Sequence, residues 1–352
     1  MSDWMFLRRV LIVAAVAGLA LLMWQLSNAL LLLFGAALIG LLFSGAADFV
    51  CRFTSVPRPV ALTMVILLLV GGVLAVISLF GAQISAQLAE LWQRLPGAVE
   101  SLEQRFGLGD VSGRIWQEAQ SNTSSIVFQI SSWAGIFLNA LADLLLLVVS
   151  GAFFAVNPKL YRDGALKLVP AAQRPLIADT MDYSAAALRQ WLVGQLIAVV
   201  LVGAMVTTGL WYIGLPSPLA LGLIAGLLEF VPVLGPIMGA VPATLLALTL
   251  NWQEVAWTLG LFLMVQTLEA NLIMPLIQKR MVALPPVVAL FAILCFGVLF
   301  GMLGVLFATP LAVFVFVAVN KLYVRDLLHE PTEVPGERQV QTERHRHEAA
   351  AP

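Results

Sequence analysis

Two glutamates stand inside long apolar runs of this sequence, and their positions suit them to chemistry. Glu229 lies 13 residues past Pro216, and Glu269 lies 15 residues past Glu254. At 1.5 Å per helical residue, both acids fall roughly 20 Å below the same predicted membrane face. Two carboxyl groups close together in a low dielectric do not both ionise easily, so such a pair could couple proton movement to substrate movement. The alternative is that each acid hydrogen-bonds backbone groups freed by a neighbouring proline.

Polar residues, glycines and prolines near these acids complete the predicted pathway for a substrate or an ion. Gln266 lies one turn before Glu269 on the same helical face, and Asn271 follows closely. The full predicted set is Glu229, Glu269, Gln266, Asn271, Pro232, Gly235, Pro236, Gly304 and Pro310. Asp143, Asn139 and Gln195 rank lower, because packing between helices explains a polar residue inside a span equally well.

The apolar run Pro218–Leu250 is interrupted near its middle by Pro232, Gly235 and Pro236. Proline removes a backbone donor and clashes with the preceding turn, so a helix stops there. Each arm of about 15 residues would be roughly 22 Å long, which is short for a 30 Å hydrocarbon core. Irregular backbone at membrane depth is tolerated only inside protein or beside a water-filled cavity. A re-entrant helical hairpin is therefore predicted, with a functional site at its tip.

The run Pro286–Asn320 echoes the first broken run. Leu215-Pro216 precedes Leu234-Gly235 by the same 19 residues that separate Leu284-Pro285 from Leu303-Gly304. One full span lies between the copies, so the second hairpin would enter from the opposite side, as in the inverted repeats of many secondary transporters. Chance similarity between apolar runs is the competing explanation, and two pairs of short spans would also fit.

Glycines four residues apart recur in both broken runs, at Gly222 and Gly226, Gly235 and Gly239, and Gly297 and Gly301. Small residues at this spacing let helix backbones approach closely. Packing within one chain and a sliding or oligomeric contact are both compatible with the pattern.

Composition requires lipid as the solvent for most of the chain. Hydrophobic residues make up 61% of the 352 positions and charged residues 11%, against about 25% charged in soluble domains. Beside the two hairpins we predict an all-α polytopic fold with six full transmembrane helices. These are Val10–Trp24, Ala29–Ala47, Val60–Gly81, Gly135–Val156, Leu192–Ile213 and Val255–Met274.

The distribution of basic residues predicts the orientation. With the N-terminus inside, 16 of the 19 Lys and Arg residues lie on the inner side, and only Arg94, Arg105 and Arg114 lie outside. Both termini are therefore expected in the cytoplasm of a bacterial inner-membrane protein. The chain divides into three spans (1–81), a periplasmic amphipathic helical segment (82–134), a fourth span with an inner helical segment (135–191), a transport core (192–325) and a disordered tail (326–352).

The sequence lacks the residue patterns that are typical of several classes of protein function. A net charge of −1 gives no case for a nucleic-acid partner. The membrane region has no histidine, and no HExxH, GxSxG or P-loop motif occurs, so we predict neither an enzyme nor a cofactor or metal site. Membrane lipids and a small-molecule or ion substrate are the expected partners. A small-molecule exporter, a sodium (or lithium)/proton antiporter and a non-transporting scaffold remain open.

The chain resembles the autoinducer-2 exporter family of PerM-like permeases over nearly its whole length. The matching residues are Glu229 to Pro236 with Gly239 and Pro242, Gln266-x-x-Glu269 followed by Pro275, Trp191 to Gln195, Pro170 with Arg174, and Gly304 to Pro310. Gln278-Lys279-Arg280 departs from the pattern, because relatives often place a glycine there. The resemblance implies a bacterial inner-membrane transporter of small molecules such as autoinducer-2. It also implies a homo-oligomer, for which a pentamer is suggested.

Overall fold

The computed structural model describes residues 21–72, 142–231, 234–248, 250–275 and 284–342, with positions 8, 11, 14, 18, 74, 75 and 78. Within these residues the fold is all-helical and contains no strand, as predicted. The helices are α1 (Ser27–Phe53), α2 (Arg58–Gly72), α3 (Ala142–Val156), α4 (Pro158–Lys167), α5 (Arg174–Ile213), α6 (Pro218–Leu228), α7 (Leu234–Leu248), α8 (Trp252–Leu268) and α9 (Pro286–Ala318).

Long apolar helices identify a multi-pass membrane protein. By length and composition, four helical stretches of the described chain could cross a bilayer: those of α1, α5, α8 and α9, of which α9 is interrupted at Gly301. A fifth candidate is the bent pair α3 and α4, whose axes differ by 88°. Most of the predicted span Val10–Trp24 and the predicted periplasmic segment 82–134 lie outside the described residues.

Helix α5 is longer than the sequence predicted. The inner segment was expected to end before a separate span at Leu192, but one helix of 40 residues runs from Arg174 to Ile213. It has no proline after its first turn to stop it, so it extends about 60 Å, twice the hydrocarbon thickness. It ends at Gly214, whose left-handed φ of 87° allows its N–H to bond the Leu210 carbonyl.

The first broken run folds back on itself, as α6 and α7 pack side by side. A Cβ built at Gly235 would lie 2.6 Å from the Leu228 carbonyl carbon, and one at Gly239 would lie 3.0 Å from the Ala225 Cα. The contacts pair later residues of α7 with earlier residues of α6, so the arms are antiparallel. At about 16 Å and 22 Å, neither arm could cross a membrane alone.

The second broken run also reverses direction. Gly301 interrupts α9 with φ 64° and ψ −145°, a conformation that glycine adopts readily. A Cβ at Gly304 would lie 2.7 Å from the Phe296 carbonyl carbon, and one at Gly297 would lie 2.9 Å from Val305 Cγ2. Residues eight apart in a continuous helix are about 12 Å apart, so these contacts require two arms that meet at Gly301.

Glycines join α6 to α5 by close backbone contact. A Cβ at Gly222 would lie 2.8 Å from the Gly203 carbonyl oxygen, and one at Gly226 would lie 2.7 Å from that of Val199. The glycines of this pair therefore serve packing within one chain, which was one of the two interpretations of their spacing. Because the helices touch through backbone atoms, α5 fixes the position of the first hairpin.

The C-terminal segment differs from the expected disordered tail over residues 326–342. Val334 is buried, and Gly336 lies against the Tyr183 carbonyl of α5. Arg325 and Glu337 form an ion pair of 2.7 Å, and residues 337–342 are helical. Apolar contacts and the ion pairs Arg325–Glu337 and Lys321–Asp326 dock this segment although its composition is polar. Residues 343–352 lie outside the described residues.

Candidate functional site: a carboxyl pair at the first hairpin

Glu229 occupies the turn between the two arms of the first hairpin. Helix α6 ends at Leu228, and the N–H of Glu229 still bonds the Ala225 carbonyl at 3.1 Å. The N–H of Gly235 donates to the Val231 carbonyl at 2.8 Å, which closes the turn. The side chain of Glu229 is only 2% exposed, so the turn holds a carboxyl group away from the surface.

Glu269 lies where α8 changes its winding. The α-helix ends at Leu268, and residues Glu269–Ile273 form a π-helical turn. Such turns are rare and occur often at functional sites, because they redirect the side chains that follow. The Glu269 side chain is 4% exposed.

The carboxyl groups of Glu229 and Glu269 meet. They lie within hydrogen-bonding reach of each other, and such a bond forms only when one of the two carboxyl groups carries a proton. Gln266 adds a longer contact, with Nε2 at 3.5 Å from Glu269 Oε2. Among the described residues, Oε2 of Glu229 has no hydrogen-bond partner. A buried polar atom without a partner is uncommon in folded proteins, and a proton, an ion or a ligand bound there would satisfy it.

Helix α5 supports the turn that carries Glu229. The amide Nε2 of Gln195 donates to the Glu229 carbonyl oxygen at 2.7 Å. One turn earlier, Trp191 packs edge-on against Phe230 with ring centroids 5.6 Å apart. Gln195 was ranked low from the sequence, where it ends the stretch from Trp191 that contributes to the family resemblance. It satisfies a carbonyl that the end of α6 leaves free.

The remaining predicted residues are distributed more widely. Gly235 and Pro236 lie in the first turn of α7, where Gly235 packs against the backbone of Leu228 and Glu229. Asn271 is exposed and donates to the Thr267 carbonyl at 2.8 Å, so it does not join the pair. Gly304 shapes the second break, Pro310 is buried in the second arm of α9, and Asp143 lies on α3. Pro232 and Asn139 lie outside the described residues.

An ion-pair cluster joins distant parts of the chain that the sequence analysis did not connect. Asp48 on α1 bonds Arg58 at 3.2 Å and Arg189 on α5 at 2.8 Å. A second pair, Arg162 with Asp182, uses two parallel hydrogen bonds of 2.8 Å to tie α4 to α5. Asp48 and Arg189 are 141 residues apart, and no local spacing signals such a contact.

Comparison with known proteins decides the family. Residues 11–324 match the protein family described as "AI-2E family transporter". The chain belongs to the AI-2E transporter family. The match spans the apolar helices and both broken runs, so AI-2E transporters share the whole membrane part of this chain.

Similar proteins of known sequence agree with membership of the AI-2E family. YueF of Bacillus subtilis is 24% identical over 72% of this chain and 74% of its own length. YhhT of Escherichia coli K12 is 25% identical over 73% of this chain and 74% of its own length. YrrI of Bacillus subtilis is 38% identical over 33% of each chain. All three carry the name "Putative transport protein". The AI-2E family is one of transporters rather than enzymes, which fits the exclusion of enzyme motifs made from the sequence.

Proposed function

We propose that this AI-2E transporter exports a small polar or amphipathic molecule across the bacterial inner membrane, with the Glu229–Glu269 pair as its coupling site. The observation that carries the proposal is the contact between two buried carboxyl groups at a break in the membrane helices. Acids within membrane segments are costly, and in transporters they commonly bind substrates, ions or protons. A molecule like autoinducer-2 is the substrate class that the family description suggests.

The arrangement supports a cycle in which the pair exchanges a proton for a polar substrate group. The unpartnered Oε2 of Glu229 offers a hydrogen-bonding position, and the Gln266 amide stands beside the other carboxyl. Opening the pair would expose two acids to a substrate that enters from one side. The close backbone contacts at Gly235 and Gly239 hold the two arms of the hairpin against each other beside the pair.

The proposal places both broken runs as re-entrant hairpins of opposite orientation, with both termini in the cytoplasm. The short arms of α6 and α7 and the reversal at Gly301 support this arrangement. A homo-oligomer and a periplasmic helical segment belong to the same proposal, and they rest on the family resemblance and the amphipathic pattern respectively.

The test compares extracellular metabolites from cells that produce the wild type, Glu229→Gln, Glu269→Gln or the control Glu254→Gln. Glu254 lies 15 residues before Glu269 on the same helix, so its substitution changes the same chemical group outside the site. The proposal expects metabolites exported by the wild type and by Glu254→Gln, and none exported by the two site variants at equal membrane abundance. Normal export by both site variants would refute it.

The same variants separate the proposal from the two alternatives that the sequence left open. An antiporter would acidify or alkalinise everted vesicles after a sodium pulse without any organic substrate. A scaffold would keep its function in both glutamate variants and lose it when residues 83–132 are deleted. The names of the relatives describe transport and do not favour either alternative.

A further inference from the structure

Two adjoining cavities lie near Arg52 at the C-terminal end of α1, about seven turns after this helix begins. One cavity is apolar and lies between α1, α2 and α5, and the other is polar and lies beyond the helix ends. They share the lining residues Gly45, Phe49 and Arg189, so they form one continuous space with an apolar part and a charged part. We call this space the α1–α5 groove.

The apolar part has the shape of an acyl-chain site. Its volume is about 430 Å³, and every lining residue except Arg189 is apolar. Along α1 the lining extends from Leu41 to Val50, which is roughly 13 Å of helix. Met64 on α2 and Val193 on α5 line the opposite walls. Such a groove accommodates part of a hydrocarbon chain beside the protein.

The polar part carries uncompensated positive charge. Its volume is about 340 Å³, and Arg52, Arg189 and Asp48 line it. Asp48 already bonds both Arg58 and Arg189. Asp48 therefore compensates Arg58 and Arg189, and among the described residues Arg52 forms no ion pair. Guanidinium groups remain charged at all physiological pH values and match the geometry of phosphate oxygens.

The position of Arg189 is fixed by its surroundings. Its Nε lies 3.2 Å from the point where a Cβ of Gly45 would stand, so the absence of a side chain at Gly45 lets the guanidinium cross α1. The Asp48 carboxylate then holds the outer end of the group at 2.8 Å. The same guanidinium thus stands at the junction of the apolar and the polar part, where the phosphate of a lipid would lie.

We infer that the α1–α5 groove binds one anionic phospholipid, with an acyl chain in the apolar part and the phosphate between Arg52 and Arg189. The complementarity of charge and the continuity of the two cavities favour a lipid over a soluble anion, which would use only the polar part. Basic pockets between membrane helices are a recognised mode of anionic lipid binding. Gln339 and Thr342 of the C-terminal segment also line the polar part, so the bound headgroup would contact that segment.

The charge requirement is tested by native mass spectrometry of the purified full chain, titrated with phosphatidylglycerol or with phosphatidylcholine of the same acyl chains. The wild type should bind phosphatidylglycerol more tightly. Arg52→Gln and Arg189→Gln should each weaken its binding about fivefold, and the double variant roughly 25-fold, with no change for phosphatidylcholine. Arg58→Gln is the matched control, because Arg58 bonds the same aspartate but lines neither cavity.

The acyl-chain requirement is tested with Val193→Trp, which would fill the apolar part, and with the control Val200→Trp, an exposed position two turns along α5 that does not line it. Only Val193→Trp should reduce phosphatidylglycerol binding. Equal binding of the two lipids by the wild type, equal losses for Arg58→Gln and Arg52→Gln, or full displacement of the lipid by equimolar glycerol phosphate would each overturn the inference.

Discussion

Replacing Gly235 by alanine should strain the turn that holds Glu229. The new methyl group would lie 2.6 Å from the Leu228 carbonyl carbon and 2.8 Å from the Glu229 Cα, closer still to the Leu228 oxygen. Carbon atoms in ordinary contact are about 3.5–4.0 Å apart, so the backbone on one side must move by about 1 Å. Overpacking of this kind costs roughly 1–3 kcal/mol, which exceeds the small helix-propensity gain of alanine at the start of α7.

Gly260→Ala is the matched control for this substitution. Gly260 lies in the middle of α8, and no atom outside its own helix stands within 4 Å of its would-be Cβ. The control should unfold at the same free energy as the wild type or gain up to about 1 kcal/mol. Equilibrium unfolding in mixed micelles measures both variants, and export by intact cells should fall only for Gly235→Ala. Equal stability of the two variants would refute the close packing of the arms on which the site depends.

Three further substitutions test other contacts. Gly304→Ala should lower the free energy of unfolding by about 1–3 kcal/mol, because its methyl group would meet the Phe296 carbonyl, and a value equal to wild type would contradict the reversal at the second break. Gln195→Leu removes the donor to a buried carbonyl and should cost about 1–3 kcal/mol in the same assay. Glu337→Gln should change the free energy of unfolding by less than about 1 kcal/mol, because its partner Arg325 is partly exposed. Limited proteolysis should nevertheless cut residues 326–342 faster in this variant than in the wild type. An unchanged rate of cleavage would show that the ion pair does not dock the segment.

The membrane class, the helical breaks and the carboxyl pair followed from simple physical rules. The lengths of the apolar runs indicated the membrane-spanning helices. The spacing of proline and glycine residues located the two places where the chain reverses direction. Helical rise placed Glu229 and Glu269 at similar depths, and the structure brings their carboxyl groups into contact. These features depend on local sequence or on counting along a helix, so they are accessible without coordinates.

Features that depend on pairing between distant segments were not accessible. The contact of Asp48 with Arg189 and the docking of the C-terminal segment on α5 arise only after the helices pack. Asn271 lies in the π-helical turn after Leu268, and its amide bonds the Thr267 carbonyl. A regular α-helix was the only winding that the sequence pattern could suggest, so this π-helical turn was not predictable.

A double-mutant cycle on Glu229 and Glu269 tests the central claim most directly. Contacting residues show coupling energies of about 0.5–3 kcal/mol, whereas separated sites add within about 0.3–0.5 kcal/mol. Unfolding free energies of Glu229→Gln, Glu269→Gln and the double variant should therefore depart from additivity, and a parallel cycle with Glu254→Gln should be additive, since Glu254 lies about 22 Å along α8. Additive energies in both cycles would contradict the contact between the two carboxyl groups.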